Sequence, residues 1–211
     1  MKKQKALSRK DWINTARKQL LEKGVQNVTI RKMATKLNVT TGAFYHIYKN
    51  LEELHKDLIH DWEQKNTEPL LNAIISAAPD GRKQLLVWDN IILFEQHYNP
   101  SYDAVMRDWA RVSEPVKKAV QNIDQKRIDA LENVYQNLGF DKKFAEFRAK
   151  TMYYHQIGYQ TLKVDESVHE RLENSVYYAE IISKNPQKYP YNDPDGTLHI
   201  VQEINQLLKA N

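Results

Sequence analysis

Apolar residues recur every three to four positions through most of the chain, and no run of β-branched residues alternates with polar ones over a strand's length. The pattern predicts an all-α protein. Trp12, Ile13, Ala16, Leu20 and Leu21 share one face of a first helix over about 9–23. Ser8 and Asp11 stand in the Ser-x-x-Asp spacing of a capping box. Gly24 supplies the stop, since glycine readily takes the left-handed conformation that ends helices. Ile30, Met33, Ala34 and Leu37 then recur at i, i+3, i+4, i+7 in a second helix over about 29–37. Asn38-Val39 makes a short turn, and a third, brief helix covers about 40–46. Asn50 and Glu53 repeat the cap spacing and open a fourth helix that runs to about 65.

The character changes at Pro69. Helical segments follow at about 68–77, 82–98, 101–110, 114–138, 142–163 and 166–184. Pro79-Asp80-Gly81, Asn99-Pro100, Gly139 and Val164-Asp165 punctuate them. The stretch 185–196 contains three prolines and reads as a loop, with a final amphipathic helix over 197–210. This spacing predicts an N-terminal three-helix head over 1–54, a linking fourth helix over about 51–65, and a larger all-helical domain over 66–211.

Charge sharpens that division. Residues 1–56 carry 13 Lys and Arg against 4 Asp and Glu, a net of +9, and the remainder carries 18 against 23, a net of −5. A basic head on an acidic body points to a polyanion meeting one end of the molecule. The chain has no cysteine, which excludes a disulfide framework and a thiolate nucleophile. The N-terminal MKKQKALSRK lacks the apolar run of a signal peptide, and no apolar stretch approaches the ~20 residues that span a bilayer. A cytoplasmic protein without membrane contact is expected. The seven histidines are scattered with no HExxH and no i, i+4 pair, so neither a metal nor a cofactor is expected.

Two short helices joined by a tight turn on a basic platform form a helix-turn-helix arrangement, whose second helix enters the DNA major groove. Thr40, Thr41, Gly42 and Ala43 are short enough to lie near base edges, while Val39, Phe44 and Ile47 can anchor the helix from behind. The order of residues in TIRKMATKLNVTTGAFYHIYKNLEEL (29–54) resembles the DNA-binding domain of the TetR family of bacterial transcriptional regulators. Thr29, Arg31, Ala34, Leu37, Val39 and Gly42 fill that pattern, as do Phe44, Tyr45, Tyr48, Lys49 and Asn50. The resemblance implies that Arg31 reaches a base edge or phosphate and that Thr40, Thr41, Gly42 and Ala43 face the groove. It implies that Tyr45 offers its hydroxyl to a phosphate and that Lys49 pairs with the DNA backbone. Two positions depart from the family pattern. Ile47 stands where histidine is frequent, with His46 beside it as a partial substitute, and Leu51 stands where lysine or arginine is common.

The body resembles the same family less specifically, through Arg107-x-Trp109-Ala110 and Val116-x-x-x-Val120-x-x-x-Asp124-x-x-Arg127. That resemblance implies a ligand-binding and dimerisation domain whose last two long helices pair with a second subunit. The face with Phe144, Phe147, Ala149, Met152, Tyr153, Ile157 and Gly158 is the candidate interface, shared with intramolecular core. Candidates to line a pocket for a small organic effector are Trp88, Ile92, Phe94, Tyr98 and Tyr102, followed by Met106, Trp109, Tyr154 and Tyr159. The reading is a ligand-responsive DNA-binding regulator, a repressor that binds a palindromic operator as a homodimer. The alternatives are a non-responsive architectural DNA-binding protein and a small all-helical enzyme. Against the enzyme, the sequence has no G-x-S-x-G, P-loop or dinucleotide fingerprint.

Overall fold

The computed structural model describes residues 7–183, and every regular element among them is helical. The expected loop at 185–196 and the expected helix at 197–210 lie outside the described residues. From the N-terminus come α1 (Arg9–Lys23), α2 (Ile30–Lys36), α3 (Gly42–Tyr45) and α4 (Leu51–Asn66), with a 3-10 turn at Val25–Asn27 between α1 and α2. Then follow α5 (Glu68–Ser76), α6 (Gly81–Phe94), α7 (Pro100–Ala110), α8 (Glu114–Asn137), α9 (Lys142–Leu162) and α10 (Val168–Ser183).

Side chains set the helix ends. Ser8 and Asp11 form both halves of the capping box on α1. The end of α2 is a Schellman motif, with Val39 N–H donating to Ala34 O at 3.0 Å and Asn38 N–H to Thr35 O at 3.1 Å. Asn38 takes the left-handed φ of 54° that this motif needs. α3 is shorter than the expected 40–46, because Thr41 and His46 already lie at its caps. At α4, Asn50 Oδ1 accepts from Glu53 N–H at 2.9 Å, and Glu53 reaches back one residue beyond the box, to Lys49 N–H at 2.8 Å. α6 stops at Phe94 rather than near 98, since Glu95 and His97 adopt φ values of 54° and 58°. Tyr98 is buried beyond that turn and donates its hydroxyl to Gln160 at 2.8 Å.

The chain divides into two units. The first holds the chain through Asn66 together with Asn99–Asn122, so α7 packs with the head helices α1 and α4. Trp12, Ala16, Leu20, Phe44, Leu54, Leu58 and Trp62 are fully buried there, each large apolar side chain contributing about 1.5–3 kcal/mol. A buried polar cluster joins α4 to α7. Asp103 Oδ1 accepts from Trp62 Nε1 at 2.8 Å and from Asn66 Nδ2 at 2.6 Å. Asn66 also receives Asn99 N–H at 2.7 Å.

The second unit holds Thr67–Tyr98 and the chain from Ile123 onward. Leu70, Ile74, Leu85, Leu131, Val134, Tyr135, Ala145 and Ala149 form its core. Gly81 opens α6 against the end of α8, where a Cβ would stand 2.7 Å from Leu138 N and 2.8 Å from Asn137 C. The neighbouring Gln84 Oε1 accepts from Asn137 Nδ2 at 2.8 Å. The end of α8 repeats the Schellman motif on Gly139, and the rings of Tyr135 and Phe140 meet across it at 6.1 Å.

Candidate nucleic-acid interface and effector cavity

The four rings that follow the turn have three different environments. Phe44 is buried, edge-on to Trp12 at 5.2 Å and stacked on Tyr48 at 5.2 Å. Tyr48 is only 1% exposed, and its hydroxyl donates to Asp57 Oδ2 at 2.9 Å. Burial and that carboxylate push its pKa well above the usual phenol range. Its polar tip is therefore satisfied within the protein. Tyr45 is 60% exposed and His46 is exposed, so these two present their tips to solvent.

Around Tyr45, Thr40, Thr41, Gly42 and Lys49 are exposed and Ala43 is half-buried. Ile47 and Leu51, the two departures from the family pattern, are half-buried apolar supports beside them. The small side chains and the turn fixed by Asn38 leave this backbone open to close approach. Arg31 lies on the exposed side of α2, in a different setting. It lines a surface cleft of about 440 Å³ with Lys23, Asn27, Thr29, Lys32 and Lys36, and Thr40 to Lys49 take no part in that cleft. Lys32 is held by Asn27 at 2.5 Å and Lys36 by Glu22 at 3.1 Å. The lysines of the cleft, Lys23, Lys32 and Lys36, were not singled out from the sequence as Arg31 was, although their clustering was visible as the charge of the head.

In the second unit, three helical stripes converge on a cavity of about 70 Å³. Leu85, Trp88, Asp89 and Ile92 come from α6, and Met152, His155, Gln156 and Tyr159 from α9. Arg171, Ser175 and Tyr178 come from α10, and Glu166 from the connection before it. Desolvation pushes the Asp89 carboxyl up to about 7 and lowers the His155 imidazole. Tyr159 donates its hydroxyl to Glu166 at 2.5 Å, and its pKa rises to about 12, through burial first and that bond second.

Of the pocket candidates, Trp88, Ile92 and Tyr159 line this cavity. Tyr98 is in the core, with Arg127 over its ring at 5.6 Å. Phe94 ends α6 outside the lining, and Tyr154 is exposed. Tyr102, Met106 and Trp109 belong to the first unit. Tyr102 donates to Leu58 O at 3.2 Å, and Trp109 meets His55 edge-on at 4.8 Å.

The interface candidates divide likewise. Tyr153 is buried and donates to Asp124 at 2.6 Å, Met152 faces the cavity, Ala149 is buried, and Ile157 packs on the core. Phe144 and Phe147 are 52% and 55% exposed. With Thr151, Tyr154, Gly158 and Leu162 they follow i, i+3, i+7, i+10, i+14, i+18, a narrow stripe on the outer face of α9. A Cβ on Gly158 would meet nothing within 4 Å. Among the described residues no helix is long and apolar enough to cross a membrane.

No curated protein matches the chain in sequence. A protein described as a transcriptional regulator from Pseudomonas aeruginosa PAO1 matches in structure with a TM-score of 0.61 at 16% identity, covering 94% of this chain and 89% of that one. A TetR transcriptional regulator from Legionella pneumophila matches at 0.58 and 13%, covering 97% and 99%. Reduced NemR from E. coli matches at 0.57 and 13%, covering 94% and 96%. The family model for bacterial regulatory proteins of the tetR family matches residues 13–58. Residues 13–58 thus match the N-terminal domain of the tetR family of bacterial regulatory proteins, and the described residues share the all-helical fold of such regulators.

Proposed function

We propose that the protein is a homodimeric transcriptional repressor that binds a palindromic DNA operator and leaves it when a small organic effector occupies the second unit. The observation that carries this reading is the exposed set Thr40, Thr41, Gly42, Tyr45, His46 and Lys49, held on a buried core of Trp12, Phe44 and Tyr48. Thr40, Thr41, Gly42 and Ala43 are the groove-facing residues, and Arg31 reaches a base edge or phosphate. Tyr45, His46 and Lys49 fix the register on the phosphates. The cations Lys23, Lys32 and Lys36 extend the positive field along the backbone.

One such segment makes few contacts. Two of them, spaced for successive major grooves roughly 34–36 Å apart, give specific binding. The outer stripe of α9 supports a twofold pairing, in which Phe144, Phe147, Tyr154 and Leu162 are covered and Gly158 admits a close neighbour. The cavity supports an effector site, and an effector acts only by binding the non-DNA conformation better.

Selection of bound duplexes from a random-sequence pool by the full chain tests the proposal. An inverted repeat with half-site centres about 10–10.5 base pairs apart, or a multiple, is expected. Enrichment of a single unrepeated site, or of no site, would overturn the dimeric operator-binding reading.

A further inference from the structure

Asp89 is the group in the α6–α9–α10 cavity that the fold leaves without a partner. It interrupts the apolar stripe of Leu85, Trp88 and Ile92, and it has neither a hydrogen bond nor an ion pair among the described residues. The other two charges of the lining share one side chain. Glu166 accepts the hydroxyl of Tyr159, and the guanidinium of Arg171 lies over the ring of the same tyrosine at 5.0 Å. Tyr159 thus meets a carboxylate at its hydroxyl and a guanidinium over its ring face. His155 is driven toward its neutral form by burial and is 4.4 Å from the ring of Tyr178. A second group also lacks a partner, since Gln156 is 9% exposed and its Nε2 is buried without an acceptor.

Asp89 is half-buried, and a carboxyl set among largely apolar walls is costly unless a cation meets it. Three aromatic residues, Trp88, Tyr159 and Tyr178, line the same space. Ring faces attract cations, by about 0.5–2 kcal/mol each. We propose that this cavity binds a compact organic cation, a substituted ammonium with an apolar body, paired to Asp89 and enclosed by these rings. The assignment rests on the effector reading above and specifies the chemical class of the effector. Gln156 Nε2 supplies a donor for an acceptor atom on the ligand or a bridging water. The open volume of about 70 Å³ suits a small ligand or a few waters. The rival is an anion drawn to Arg171, whose Nε is also buried without an acceptor.

Calorimetric titration of the full chain with three compact, water-soluble probes of similar shape tests the class. The probes are tetramethylammonium, the uncharged tert-butanol, and pivalate. Tetramethylammonium is expected to bind at least ten times more tightly than the other two. Asp89→Asn is expected to erase that preference while the chain stays folded, and Asp89→Glu to keep it. A preference for pivalate or tert-butanol, or a cation preference that survives Asp89→Asn, overturns the assignment and leaves the cavity an effector site of another class. Failure of all three probes to bind at millimolar concentration overturns the assignment, while the effector reading falls only if no small molecule releases the chain from DNA.

Discussion

Tyr48 donates its hydroxyl to Asp57 at 2.9 Å, while Arg9 binds the same Asp57 oxygen at 3.0 Å and lies over the Tyr48 ring at 4.6 Å. Arg9 also holds Glu53 at 2.8 Å, so the start of α1, the end of the run from Thr40 to Lys49 and α4 meet at one cluster. Tyr48 and Tyr45, three residues apart, therefore stand in opposite settings, one buried and bonded, the other open to solvent. Tyr48→Phe is expected to cost about 1–2 kcal/mol in chemical denaturation, with DNA affinity of the folded protein retained. Tyr45→Phe is expected to leave stability within about 0.5 kcal/mol and to weaken binding to all DNA sequences alike. Paired denaturation and gel-shift curves for the two variants check this.

The caps and periodic stripes of the head were legible in the sequence, because a capping box and an i, i+3, i+4, i+7 repeat are local. Ser8 with Asp11 and the span Arg9–Lys23 are examples. The placement of α7 was not. Tyr102, Met106 and Trp109 have the same spacing whether they face α4 or a ligand, and contacts distant in sequence decide it, among them Tyr102 to Leu58 O and Trp109 to His55. Tyr153 likewise looks like an interface residue until Asp124, 29 positions away, takes its hydroxyl. The cavity was legible only through Trp88, Ile92 and Tyr159. Asp89 carried the missing signal, as a charge set inside an apolar stripe.

Gly81 sits where a methyl group would strike backbone. Alanine there gains helix propensity of up to about 1 kcal/mol but must push Leu138 N and Asn137 C aside. Gly81→Ala is expected to destabilise by about 1–3 kcal/mol. Thermal unfolding checks this, with Gly158→Ala, where the Cβ meets open space, as the comparison.

Asp103 is the acceptor for both Trp62 and Asn66. Asp103→Ala is expected to lower stability by about 2–4 kcal/mol, since a buried network is broken rather than replaced. Because the cluster ties α4 to α7, amide exchange in α7 is expected to rise in this variant. Unchanged exchange there would separate α7 from the cluster.

The Asp89 carboxyl is raised from its ordinary 3.8 to about 7. The folded chain holds that proton more tightly, so the stabilising share is full below pH ~4 and is lost as pH rises through 7. Asp89→Asn is expected to be near neutral at pH 4 and stabilising by on the order of 2 kcal/mol at pH 8, after discounting for partial solvent contact. His155, Glu166 and Arg171 share the cavity. The lowered values of His155 and His55 act in the opposite sense, removing stability as pH falls below 6.5. The difference between variant and wild type isolates Asp89 from them.

The central claim is that the exposed run from Thr40 to Lys49, with Arg31, reads DNA. Gel-shift binding to the DNA upstream of the protein's own coding region, at two salt concentrations, tests it with wild type, Arg31→Ala and Tyr45→Phe. Wild type is expected to bind this DNA in the presence of competitor and to weaken steeply with salt. Both variants are expected to bind less well. Binding that competitor DNA removes completely, with no difference between wild type and the variants, would contradict the claim.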